Sequence, residues 1–133
     1  TRFCWAQIEG LTETSPYEMR AMLAFLEEVP DRARADQAWE RLAPLMLPHI
    51  ALDPGATGDV HPPLTFAPRP DSIARRLFSD DVIAAHLDAL ENAQQSDGGW
   101  GFGWEAWTPV TVPEWRGWVT IESLTTLRDN GRL

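Results

Sequence analysis

Apolar positions recur at helical spacing along most of the chain, and no stretch alternates apolar with polar residues long enough for a convincing strand. The pattern predicts an all-α fold. Ser15-Pro16-Tyr17-Glu18 opens one helix, with Ser at the N-cap, Pro at the first helical position and Glu three residues after the cap. Met22, Phe25, Leu26 and Val29 mark its apolar face, and Pro30 ends it. Asp31 is the N-cap of a second helix with Ala35, Ala38, Trp39 and Leu42 on its face. Pro44 is expected to kink or end that helix, leaving Leu45 to Ile50 as a short continuation. A connection of only about two residues makes the pair an antiparallel hairpin.

Residues 51–71 carry Pro54, Gly55, Gly58, Pro62, Pro63, Pro68 and Pro70, which predicts an irregular internal loop with Leu64, Thr65 and Phe66 packed down between the prolines. A short helix from Ser72 to Phe78 follows. Ser79 or Asp80 then caps a longer helix, whose expected buried stripe is Ile83, Leu87, Leu90 and Gln94. The last helix is predicted from about Glu114 to Arg128, facing inward through Trp118, Ile121, Leu124 and Leu127, with Asn130-Gly131 as its left-handed stop.

A chain of 133 residues holds one domain with a real core. Its 44% apolar and 23% charged residues are those of a globular protein, and no run of about 18 apolar residues predicts a membrane span. The net charge of −9, with eleven scattered Arg and no Lys, excludes the clustered cations that bind a nucleic-acid backbone. The single Cys4 excludes an internal disulfide and fits a reducing cytoplasm. Seven Trp are more than one small core needs, and Trp100, Trp104, Trp107, Trp115 and Trp118 fall within 19 residues.

In Gln94-Gln95-Ser96-Asp97-Gly98-Gly99-Trp100 the two glycines permit a sharp reversal after a helix. Asp97 can satisfy backbone amides within it, Trp100 can cover it, and a Gln side chain can bond exposed backbone. This segment, with Gln95 (or Gln94), Gly98 and Trp100 in matching positions, resembles the glutamine-tryptophan repeat of squalene-hopene and related terpenoid cyclases and of prenyltransferase-type toroids. The chain is also similar to actinobacterial proteins that carry the repeat near their C-termini. The resemblance implies an α/α-toroid built of helical hairpins, in which Gln and Trp staple neighbouring units. A six-hairpin barrel needs roughly twice this length by repeat arithmetic. Residues 1–133 are thus expected to be a single domain forming the C-terminal part of a longer toroid, or one that completes its core by self-association.

Neither catalytic signature of those families carries over. The Asp-x-Asp-Asp acid motif has no counterpart beyond Ser79-Asp80-Asp81, and Cys4 lacks the neighbouring Asp of a prenyltransferase zinc site. Gln94, Gln95, Asp97, Gly98, Gly99 and Trp100 therefore read as structural. Two readings stand for Trp104, Trp107 and Trp115: packing within the hairpin, or the rim of a cavity that binds an apolar or cationic ligand. Trp118 and His61 join them as candidate ligand-binding residues. Glu114 suits the positive end of a helix dipole, and Gly117 close helix packing; alternatively, Glu114 is a proton donor in an apolar mouth. His49, Asp53, Asp59 and His61 follow no metal motif, and Pro and Gly punctuation explains the acids as turn formers. His86 reads as an ordinary, partly buried histidine. No metal or cofactor is expected. The resulting expectation is a catalytically silent domain holding an apolar small molecule or a partner protein; the alternative is an enzyme acting on an isoprenoid.

Overall fold

The computed structural model describes residues 1–58 and 60–133. Among these the chain is helical throughout its regular structure, with α1 (Arg2–Gly10), α2 (Pro16–Glu28), α3 (Arg32–Met46), α4 (Pro63–Phe66), α5 (Asp80–Asn92) and α6 (Val112–Asp129). The all-α expectation holds. Short 3₁₀ turns lie at Leu47–His49, Ile73–Leu77 and Pro109–Thr111.

The start of α2 is fixed by a reciprocal pair. Ser15 Oγ accepts from the Glu18 amide at 3.3 Å, and the Glu18 carboxylate accepts from the Ser15 amide at 3.1 Å. Asp31 caps α3 by a single bond, its carboxylate accepting from the Arg34 amide at 3.1 Å. Pro44 does not end α3, which runs through it to Met46 before tightening into the 3₁₀ turn. α1 has no counterpart in the sequence reading. It buries Trp5 and Ile8, with Trp5 edge-on to Phe25 at 5.1 Å, and so adds a third layer to the α2–α3 hairpin.

The main core sits between these three helices. Leu23, Leu26, Ala35, Ala38, Trp39, Leu42 and Met46 meet Phe66, Ala67, Ile73 and Ala74 there. Each such large side chain removed from water contributes about 1.5–3 kcal/mol before entropy. The segment expected to be an irregular loop is partly ordered, because Phe66 is buried and pulls Pro63–Phe66 into one helical turn. Glu27 fastens its far end. Its carboxylate accepts from Arg69 Nη2 at 2.8 Å and from the Ile73 amide at 3.1 Å. The hydrogen bond that Arg69 donates to Asp71, together with the charge of Glu27, raises the Arg69 pKa above its ordinary value. The predicted short helix over Ser72–Phe78 is the 3₁₀ turn Ile73–Leu77.

A second, smaller core of Ile83, Leu87, Trp100 and Leu127 joins α5 to α6, with Leu64, Phe78, Leu90 and Val119 packed around it. Phe78 also packs against the main core and connects the two. The end of α6 is a Schellman stop. Gly131 takes φ +70°, the Arg132 amide donates to Leu127 O at 2.9 Å, and the Gly131 amide donates to Arg128 O at 3.0 Å.

α6 does not face the way its apolar residues predict. Trp118, Ile121 and Leu124 are exposed at 42%, 66% and 37%, and only Leu127 of the expected stripe is buried. The inward stripe is Arg116, Val119, Thr120, Ser123 and Leu127, also at helical spacing. Three of these five are polar, and two of them, Arg116 and Thr120, meet the hydrogen-bonding turn after α5. Gln94, expected on the buried stripe of α5, lies past the end of that helix and is exposed.

Candidate functional site

Residues 93–101 form the staple between α5 and α6. Gly98 has φ +85°, which L side chains rarely adopt, and this reverses the chain. The Gln95 amide donates to Gly99 O at 2.8 Å, the Gly98 amide donates to Gln95 O at 2.8 Å, and the Gln94 side-chain amide donates to Gly98 O at 2.9 Å. Trp100 is buried; its indole Nε1–H donates to Leu90 O at 2.7 Å, and its backbone amide donates to Thr120 Oγ1 at 3.1 Å. Arg116 reaches back from α6 to Gln95 Oε1 at 2.7 Å and to the Asp97 carboxylate at 2.9 Å. The guanidinium, helped by the Gly99 amide, holds the Asp97 carboxyl below the usual carboxylate range. The Gln94, Gln95 and Gly98 bonds close the turn on itself, and those from Arg116 and to Thr120 hold α6 against it.

The staple fixes the outward roll of α6, and that roll builds a groove of about 1290 Å³. One side is made by α6, through Trp115, Trp118, Ile121 and Glu122, and by Trp104, Glu105 and Trp107 of the segment that enters it. The other is made by Tyr17 and Arg20 of α2 and by Val60, His61, Pro62, Leu64 and Pro68. A smaller hollow of about 290 Å³ continues from it beneath Ala56, Val60 and Leu64, reaching His86.

Aromatic rings form a continuous series that starts at Phe102, outside the lining, and runs along the groove wall. Phe102 lies 4.9 Å from Trp104, Trp104 edge-on to Trp115 at 5.4 Å, and Trp115 edge-on to Trp118 at 5.9 Å. Edge-to-face contacts suit the ring quadrupoles and leave faces of the same rings open. Arg20 closes the series. Its guanidinium sits 5.9 Å above the Trp118 ring and its Nη2 pairs with Glu122 at 3.1 Å, joining α2 to α6. On the far side Tyr17 and Phe66 flank the His61 ring at 6.0 Å and 6.2 Å.

Trp104, Trp107, Trp115 and Trp118, clustered near the end of the sequence, thus line one groove with the distant His61. Trp107 is its outermost member, 98% exposed. Glu114 is in the first turn of α6, exposed, and does not line the groove. Its placement is that of a dipole partner, and a proton-donor role in an apolar mouth has no geometric basis. Gly117 meets nothing within 4 Å of where a Cβ would be, so close helix packing is not its reason. Of the loop acids and histidines, Asp59 lies outside the described residues. Among the described residues no three His, Cys, Asp or Glu side chains group as a metal site requires. His86 is buried, its Nε2 3.0 Å from Leu52 O.

Sequence reasoning missed Tyr17, Arg20, Glu105, Ile121 and Glu122. Ile121 carried a signal, but an apolar residue at helical spacing reads as core. Arg20 and Glu122 lie 102 positions apart and carry none. No helix among the described residues is long and apolar enough to cross a membrane. In comparisons with known proteins, the chain matches no family model, no curated protein and no solved structure.

Proposed function

We propose that this chain is a catalytically silent binding domain whose aromatic groove holds an apolar small molecule, and that its hairpins are part of an α/α-toroid. The observation that carries the reading is the outward face of α6. Trp115, Trp118 and Ile121 are left uncovered by the fold while polar Arg116, Thr120 and Ser123 face inward. Exposed apolar area of this kind, gathered in one concavity, is the usual mark of a binding surface. The Gln95–Trp100 staple supports the toroid reading through its manner of joining two helices. Glu114, the catalytic candidate of the enzyme alternative, stands outside the groove, which favours binding over catalysis at this site.

Intrinsic Trp fluorescence tests the function directly, because the site contains four of the seven indoles. Titration with a farnesyl-length hydrocarbon analogue and with farnesyl diphosphate is expected to give a saturable change with the hydrocarbon, lost in Trp118→Ala. No response to either ligand, with helicity intact by circular dichroism, sinks the proposal.

A further inference from the structure

The groove has a charge as well as a shape. Among the described residues its lining contains two carboxylates, Glu105 and Glu122, against one guanidinium, Arg20, and the whole chain carries −9. Arg20 is already neutralised by Glu122 at 3.1 Å. Glu105 makes no ion pair among the described residues. With Arg20 and Glu122 cancelling each other, an anionic head entering here meets the like charge of Glu105, whereas a cationic head meets its attraction. The walls point the same way, since Trp gives the strongest cation–π attraction of any side chain and the groove presents Trp104, Trp115 and Trp118 in sequence. One such seat is in use, with the Arg20 guanidinium 5.9 Å above Trp118.

Resting on the reading of this groove as a site for apolar ligands, we infer that its ligand is an organic cation with an apolar body, an alkylammonium class of molecule, and that Arg20 holds the cation's seat while the groove is empty. The Arg20 and Glu122 side chains are 43% and 46% exposed, so the pair is solvent-screened and easily exchanged. On binding, the ligand's ammonium takes the Trp118 face and Arg20 swings to water. Glu105 and Glu122 then supply the counter-charge, and the apolar body lies along Trp115 and Ile121. No bond is made or broken.

The test uses three rigid probes of one shape on the full chain: 1-adamantyltrimethylammonium, 1-adamantanol and adamantane-1-carboxylate, each followed by calorimetry. The ammonium is expected to bind about tenfold tighter than the alcohol, and the carboxylate more weakly than both. Arg20→Gln is expected to raise the ammonium-to-alcohol preference a few-fold, and Glu105→Gln to lower it. Equal binding of ammonium and alcohol, or a preference for carboxylate, overturns the inference while leaving an apolar site in place. An unchanged preference in Arg20→Gln overturns the role given to Arg20. If none of the three binds and the hydrocarbon titration is also flat, the inference falls together with the binding function.

Discussion

The indole Nε1–H of Trp100 donates to the backbone carbonyl of Leu90 at 2.7 Å, across the turn that follows α5. Leu90 is in the last turn of that helix, where carbonyls lose their intrahelical partners. A side chain from beyond the turn satisfies one of them while its ring fills the second core. Replacing Trp100 with Phe keeps much of the buried area and removes the donor. The carbonyl is then left unmatched beside an apolar ring, and the expected loss is about 1–3 kcal/mol by urea denaturation. A Trp100→Phe midpoint equal to wild type would show that the hydrogen bond does not hold the hairpin.

Arg116 and Asp97 give the same hairpin a pH dependence. Asp97 is held below the usual carboxylate range, first by its hydrogen bonds from Arg116 and then by the Gly99 amide. A group with a lowered folded pKa stabilises the fold fully above its unfolded value and ceases to do so as pH falls through its folded one. The unfolded value is ~3.9, so the contribution is complete at pH 6 and fades below about pH 4. Arg116→Met should therefore be less stable than wild type at pH 6, with the gap narrowing toward pH 3. Urea midpoints at the two pH values check this, and a gap that does not narrow contradicts it.

Two glycines separate conformational need from open space. Gly98 has φ +85° with nothing near its missing Cβ, so Gly98→Ala is strained by backbone alone and should cost about 1–2 kcal/mol. Gly117 lies inside α6 with an ordinary helical φ and equally open surroundings. Gly117→Ala should stabilise by about 0.5–1 kcal/mol, because the unfolded chain loses freedom and nothing clashes. Thermal melts of the two variants should shift in opposite directions.

Much of the fold was legible because the local signals were physical and independent of context. The Ser15–Glu18 box, Asp31, Ser79 and Asn130-Gly131 each bring their own hydrogen-bonding partners within a few residues. The facing of α6 was not legible. Periodicity identifies an apolar stripe but not what covers it, and here Arg116 and Thr120 are drawn inward by partners near position 97 that no helical spacing reveals. α1 was missed because its stripe is short and Thr1 makes no side-chain cap. The groove's tryptophans stood out by their density alone, whereas Arg20 and Glu122 acquire meaning only when α2 and α6 are brought together.

Ile121 and Leu127, nearly two turns apart on α6, should therefore behave in opposite ways. Leu127 is 2% exposed and packs in the second core, so Leu127→Ala creates a cavity and should cost about 2–5 kcal/mol. Ile121 is 66% exposed on the groove wall, and Ile121→Ala should change stability by no more than about 0.5 kcal/mol. Ligand titration should reverse the order: Ile121→Ala weakens binding of the hydrocarbon several-fold, while Leu127→Ala, studied where it remains folded, leaves the affinity close to wild type. If Ile121→Ala destabilises the chain as strongly as Leu127→Ala, α6 faces inward through Ile121 after all, and the groove loses its wall. Stability and affinity measured on the same two variants thus decide whether the apolar stripe of α6 serves the core or the ligand.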